Sequence, residues 1–267
     1  MKALRTLFIF FFSLGAWACQ AQANLMEFLN TSYRQDVSLT SLNHLEKMIS
    51  SIEISKKSEN EKLYIVFQKL HRTYLKKYVP YSSFNEMFNT GSFDCLTGTG
   101  LLSYVLDRLA YQHEIIETNY HIFIMVRIGD EKILLESTDR FGGFVTDQSL
   151  IAERTSGYQQ NLLTSSKSGS FQYRYSFQLY QVINAQQVTG LLFFNQAVKA
   201  FNNREWARSS ICLKKAMNYY PSERCEELNN LLTRTLMSAQ IDETSRQECL
   251  ALLQNFTSAN STSMAAR

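Results

Sequence analysis

Proline and glycine are scarce, 2 and 10 among 267 residues, below the usual ~5% and ~7%. That excludes collagen-like and turn-dominated chains, so helices and strands should carry most of the fold, with Pro80 and Pro221 as punctuation. Charge of one sign is also lacking: 27 basic and 24 acidic residues give a formal net charge of +3. The densest basic stretch, His71, Arg72, Lys76 and Lys77, reads as a solvated helix face, not as a basic stripe interleaved with aromatics, and no nucleic-acid partner is expected. Five cysteines without a CxxC pair are too few and too scattered for a disulfide-framed scaffold or structural zinc. Neither metal nor cofactor is implied. The apolar run from Leu7 to Ala18 has 12 residues and falls short of the ~20 that a membrane span needs.

What is present is material for a core: 45% hydrophobic residues, 18 Phe and 14 Tyr, a composition that disordered chains do not have. The length suits one large domain or two modest ones. Residues 1–23 read as a secretory signal peptide, with Lys2 and Arg5 as its positive start, Leu7 to Leu14 as its apolar stretch and Ala21-Gln22-Ala23 as its cleavage site. The protein is therefore expected to be exported, periplasmic or secreted. Cys19, after Ala16-Trp17-Ala18, offers the less favoured alternative of a lipid-attachment site. Loss of Lys2 and Arg5 lowers the formal charge to +1.

Leu39, Leu42, Leu45, Ile49 and Ile52 recur at helical spacing, as do Leu63, Val66, Leu70 and Tyr74, whose helix should stop before Pro80. His44 and His71 on these helices read as packed or solvated side chains, not ligands. Leu101, Leu102, Val105, Leu106 and Leu109 predict a largely buried helix with Cys95 at its start. Ile122, Ile124, Val126 and Ile128 alternate with His121, Phe123, Met125 and Arg127 as in a strand, Gly129-Asp130 makes a turn, and Ile133 to Glu136 return. A further strand is expected over Phe171 to Leu179. Beyond about Gln186 only helical periodicity remains, which divides the chain into residues 24–185 and 186–267.

In the second part, Phe193, Ala197, Trp206, Ser209, Leu213, Ala216 and Pro221 resemble one tetratricopeptide (TPR) helix-turn-helix repeat, with small residues where two helices approach and proline where the second ends. Residues from Cys225 to Phe256 would form a degenerate second unit. That resemblance implies a possible protein partner for these helices. Secretion and the placement of Cys225 and Cys249 in facing helices lead to the expectation of a disulfide between them.

Chemistry concentrates between Gly91 and Asp139. Amide hydrolysis or transfer needs a nucleophile, a base, a group that orients the base and donors for the oxyanion. Cys95, His121 and Glu136 can fill the first three roles, and the amides at the start of the Cys95 helix the fourth. A helix N-terminus and an adjacent imidazolium both favour a thiolate. Hairpin parity favours one acid: a two-residue turn sets Val126 opposite Ile133 and His121 opposite Thr138, so Glu136 shares the face of His121 while Asp139 points away unless the loop is odd or a bulge intervenes.

The strings GSFDCLTGTGLLSYVLDRL, NYHIFIMV and ILLESTD, within a region from about Phe67 to Asp139, resemble the transglutaminase-like superfamily, a papain-related fold. The resemblance implies an α+β core of N-terminal helices and a nucleophile helix packed on an antiparallel sheet, followed here by the α-helical TPR-like region. It implies catalytic roles for Cys95, His121 and Glu136. Fifteen residues separate His121 from Glu136, a spacing usual in that family, and Phe123 takes a place where an aromatic is common. Glutamate stands where aspartate is usual. Asp94 would oppose thiolate formation unless its carboxylate turns away. The function implied is a cysteine hydrolase or acyltransferase acting on peptide-type amides, with a peptide or protein substrate. The alternative is an inactive binding module that keeps the fold and presents its TPR-like helices to a protein partner.

Overall fold

The computed structural model describes residues 20–32, 36–159, 179–238 and 240–254. It divides into two compact units, with the division between Ala185 and Gln186. Most of the expected leader lies outside the described residues. Residues 20–30 form helix α1, whose Leu25, Phe28 and Leu29 are buried.

The first unit is an α+β structure in which a five-stranded antiparallel sheet, in the order β6-β5-β4-β3-β7, is flanked by helices. Helices α2 (Leu39–Glu53), α3 (Glu59–Thr73) and α4 (Phe84–Thr90) begin at serines. In each case the serine hydroxyl accepts from a first-turn amide that the helix leaves unpaired. For α3 and α4 a glutamate completes a capping box. Gly91 ends α4 at φ +80°, a left-handed conformation open to glycine. Two short segments, β1 (Lys77–Tyr78) and β2 (Ser92–Phe93), pair in parallel and lay the chain around Pro80 beside the start of α5 (Cys95–Arg108).

In the main sheet, β3 (Gln112–Thr118), β4 (Ile122–Ile128), β5 (Glu131–Leu135) and β6 (Phe144–Val145) follow one another, and β7 (Tyr180–Ile183) returns to the free edge of β3. Val126 pairs with Ile133 and Ile128 with Glu131, so Gly129 and Asp130 form the two-residue turn expected from the sequence. β4 is buried from Ile122 through Val126 because both faces of the sheet are covered, which explains its almost unbroken apolar run. α5 lies on one face: Thr99 donates to the Ile122 carbonyl, and Ser103 meets His113 Nε2 at 2.8 Å. On the other face Ile116, Phe123, Met125, Leu134 and Val145 form a cluster with Ile151 and Tyr158 of α6 (Gln148–Gln159).

Residues 171–178 of the expected additional strand lie outside the described residues. Among the described residues, no helix is long and apolar enough to cross a membrane.

The second unit is helical: α7 (Ala185–Asn202), α8 (Trp206–Tyr219), α9 (Glu223–Ser238) and α10 (Glu243–Gln254). Phe193, Ala197, Leu213, Ala216, Leu228, Leu232 and Leu236 belong to its core, with Trp206 partly buried against it. Small residues bring the first two helices together, as Ser209 Oγ donates to the Ala197 carbonyl at 3.0 Å. A Cβ at Gly190 would lie 2.5 Å from that of Tyr220, so the approach there needs glycine. Cys225 and Cys249 enter this core as buried thiols outside any disulfide. The disulfide expected from their helical placement is therefore not formed; both side chains pack in the core, as buried cysteines commonly do, and the Cys225 thiol donates to the Tyr220 carbonyl at 3.7 Å.

Candidate active site

Cys95 is the first residue of α5, and Asp94 is its N-cap. The Asp94 carboxylate accepts from the Thr97 amide and hydroxyl, both at 2.8 Å, while the Asp94 amide donates to the Thr97 hydroxyl at 2.9 Å. A reciprocal capping box thus engages the acid with the helix end. Asp94 is 2% exposed, and its charge offsets orphan amide dipoles of the first turn. Cys95 itself is partly exposed.

His121 sits in the β3–β4 turn, immediately before β4, not within the strand. Thr118 fixes this turn twice, its hydroxyl donating to the His121 carbonyl and accepting from the His121 amide, each at 3.0 Å. The ring points to Glu136, with Nε2 2.5 Å from Oε2. Cys95 is among the groups whose proximity raises the His121 imidazole. With Nε2 engaged by the carboxylate, Nδ1 is the ring nitrogen left for the thiol.

Glu136 follows the last residue of β5, and its side chain is 5% exposed. Besides His121, its Oε2 accepts from the Tyr158 hydroxyl at 3.0 Å, while Oε1 accepts from the Thr138 hydroxyl at 2.9 Å. Burial alone would raise this carboxyl. The hydrogen bond and charge of His121, with the hydroxyls of Thr138 and Tyr158, hold it below the ordinary carboxylate range instead. Burial likewise works against a charged imidazole, yet the hydrogen bond to Glu136, the charge of Glu136 and the nearby Cys95 carry His121 up to about 10. Both shifts favour the charged pair, an imidazolium on a carboxylate.

The next residue, Ser137, faces the other way, as alternation along an extended chain requires. Its hydroxyl donates to the Cys95 carbonyl at 3.2 Å, so adjacent residues of one strand end reach the histidine and the nucleophile's helix. Gly98, one turn into α5, allows the approach: a Cβ there would lie 2.8 Å from Ser137 Cβ and 2.9 Å from its Oγ. Asp139 is occupied elsewhere, accepting from the amides of Phe141 and Gly142 at 3.1 and 2.8 Å. A tight turn results, and it returns the chain to β6.

The structure therefore brings together Cys95, His121 and Glu136, the three side chains singled out in the sequence, and leaves Asp139 in a turn. Sequence reasoning missed Tyr158, because α6 carries no apolar stripe that would mark a helix. It also missed Gly98 and Ser137. The glycine inside an otherwise apolar helical run was the available signal, since such a residue often marks a close packing contact.

Among the described residues, no group of three or more histidine, cysteine or carboxylate side chains is placed to hold a metal ion. The arrangement can move a proton between a thiol and an imidazole and stabilise the charge that results. Compared with family models, with curated proteins and with solved structures, the chain matches none.

Proposed function

We propose that the protein is an exported, transglutaminase-like cysteine hydrolase or acyltransferase acting on peptide-type amides through Cys95, His121 and Glu136. The observation that carries this reading is the grouping itself: Cys95 at a helix start, close enough to shift the ionisation of a histidine whose Nε2 lies 2.5 Å from a buried carboxylate. A nucleophile, a base and an orienting acid in that order are what acyl transfer requires.

In the proposed reaction the Cys95 thiolate attacks the amide carbonyl carbon, and the amides of the first turn of α5 stabilise the oxyanion. The His121 imidazolium gives its proton to the nitrogen as the carbon–nitrogen bond breaks, leaving a thioester on Cys95 and a free amine. Water or a second amine, deprotonated by His121, then attacks the thioester and releases the thiolate. Glu136 keeps the ring oriented and its charge compensated throughout. The capping role of Asp94 supports this reading, because its carboxylate is engaged by Thr97.

The papain-like arrangement of the first unit and the TPR-like character of the second belong to the same proposal. Supporting them are α5 on the antiparallel sheet and the Ser209 to Ala197 contact between α7 and α8. Export rests on the sequence from Lys2 to Ala23. The test is trapping with a peptidyl acyloxymethyl ketone, followed by mass analysis. Labelling of Cys95 in the wild type, lost in His121→Ala, is expected. An unlabelled Cys95 in the folded wild type would favour a binding module instead.

A further inference from the structure

We propose that Tyr158 is a positioning residue of this site, holding the Glu136–His121 pair so that the second ring nitrogen stays turned toward Cys95. The inference rests on the reading of Cys95, His121 and Glu136 as one reactive set. Tyr158 lies in α6, whose buried apolar contribution among the described residues is Ile151. Its hydroxyl donates at 3.0 Å to Oε2 of Glu136, the oxygen that His121 Nε2 also contacts. Its ring stacks on Phe123, with centroids 4.9 Å apart, and lies 5.5 Å from the His121 ring at 35°.

Three restraints follow from this placement. The Thr138 hydroxyl holds Oε1 and the Tyr158 hydroxyl holds Oε2, so the carboxylate cannot turn about its last torsion without losing a hydrogen bond. The phenol ring, itself braced by Phe123, blocks His121 from tilting toward α6. The phenol also remains a donor at every working pH, because burial and the neighbouring Glu136 charge push its ionisation well above the ordinary range. Supporting hydrogen bonds of this kind decide whether a reactive constellation keeps its geometry. Other charged or titratable groups around this corner include His71 of α3, Tyr78 of β1, Tyr81, Asp94, Asp139 and Arg140 of the following turn, and Arg154 of α6.

Tyr158→Phe in the whole chain separates positioning from packing, since the ring stays and only the hydroxyl goes. The readouts are the rate of Cys95 alkylation by iodoacetamide across pH 4 to 9 and the low-field proton resonance of the His121 ring. We expect alkylation at neutral pH to slow about fivefold to tenfold, the loss that one hydrogen bond of ordinary strength represents. The acid limb should move to higher pH, because Glu136 loses a donor to its ionised form, and the His121 resonance should shift while the melting temperature changes little.

Rates, pH profile and resonance that superimpose on the wild type would overturn the proposal. A Tyr158→Phe chain that fails to fold would also overturn it, in favour of a structural role. If His121→Ala leaves alkylation unchanged, the reading of the reactive set fails, and the His121 resonance in Tyr158→Phe still decides the role of Tyr158.

Discussion

Gly98→Ala sets two effects against each other, and their magnitudes decide the outcome. Alanine is favoured over glycine inside a helix by ~1 kcal/mol. Against that gain, the new methyl group would stand 2.8 Å from Ser137 Cβ and 2.9 Å from Ser137 Oγ, with Phe93 Cδ2 at 3.3 Å. Carbon atoms pack at ~3.5 to 4.0 Å, so α5 or the strand end must give by roughly 0.7 Å. Neither is free to do so, for Gly98 and Ser137 are buried and Ser137 is tied to the Cys95 carbonyl. Overpacking of this kind costs about 1 to 3 kcal/mol. The net effect is a loss of about 1 kcal/mol, or a melting temperature lower by roughly 2 to 4 °C for a chain of this size.

The effect on the site should be larger than the effect on the fold. Ser137 adjoins Glu136, and a shift approaching 1 Å at a reacting centre can cost about a hundredfold. Scanning calorimetry and Cys95 alkylation should thus show a small thermal loss beside a tenfold or greater loss of reactivity at neutral pH. Gly98→Ala combined with Ser137→Gly removes both facing atoms and should restore much of the reactivity. A Gly98→Ala protein that melts higher than wild type and alkylates at the same rate would refute the packing of α5 against Ser137 described here.

His71 is 2% exposed and its Nε2 has no hydrogen-bond partner. Burial, reinforced by Arg140, lowers it from 6.5 to about 4. The unfolded chain therefore binds a proton in that window that the fold refuses, and stability should fall as pH drops through it, by up to about 3 kcal/mol. Denaturant titrations of His71→Leu should show a flatter acid limb between pH 6.5 and 4; an acid limb identical to wild type would count against it. His121 has the opposite sign: its contribution is complete below 6.5 and is lost as pH rises through about 10. Alkylation in denaturant without reductant should label Cys212, Cys225 and Cys249 alike, and a Cys225–Cys249 crosslinked peptide would contradict the absence of a disulfide in the helical core.

The hairpin was legible because a two-residue turn fixes every facing pair, so a pattern of a dozen residues separated Glu136 from Asp139. The buried helix was legible from its apolar spacing, and Cys95 at its start followed. β3 was not, since Gln112, His113 and Glu114 precede only a short apolar pair, and its place in the sheet depends on β4 and the distant β7. α6 was hidden because it presents no apolar stripe, with Ile151 its buried apolar residue, and Tyr158 with it. The orientation of Asp94 could not be read from composition: proximity to Cys95 suggested repulsion, whereas the Thr97 three residues later, half of a capping box, was the clue that its charge serves the helix end. That Cys225 and Cys249 stay outside a disulfide was likewise a matter of packing that helical placement alone does not decide.

Activation of Cys95 by His121, as held by Glu136, is tested most directly by the pH dependence of Cys95 alkylation. In the wild-type protein the rate at pH 6 should stay close to the rate at pH 8. It should fall steeply toward acid pH in His121→Ala and in Glu136→Gln, which keeps the shape of the acid and removes its charge, while Asp139→Asn should follow the wild type. Four superimposable profiles, each rising with pH as an ordinary thiol does, would contradict the account.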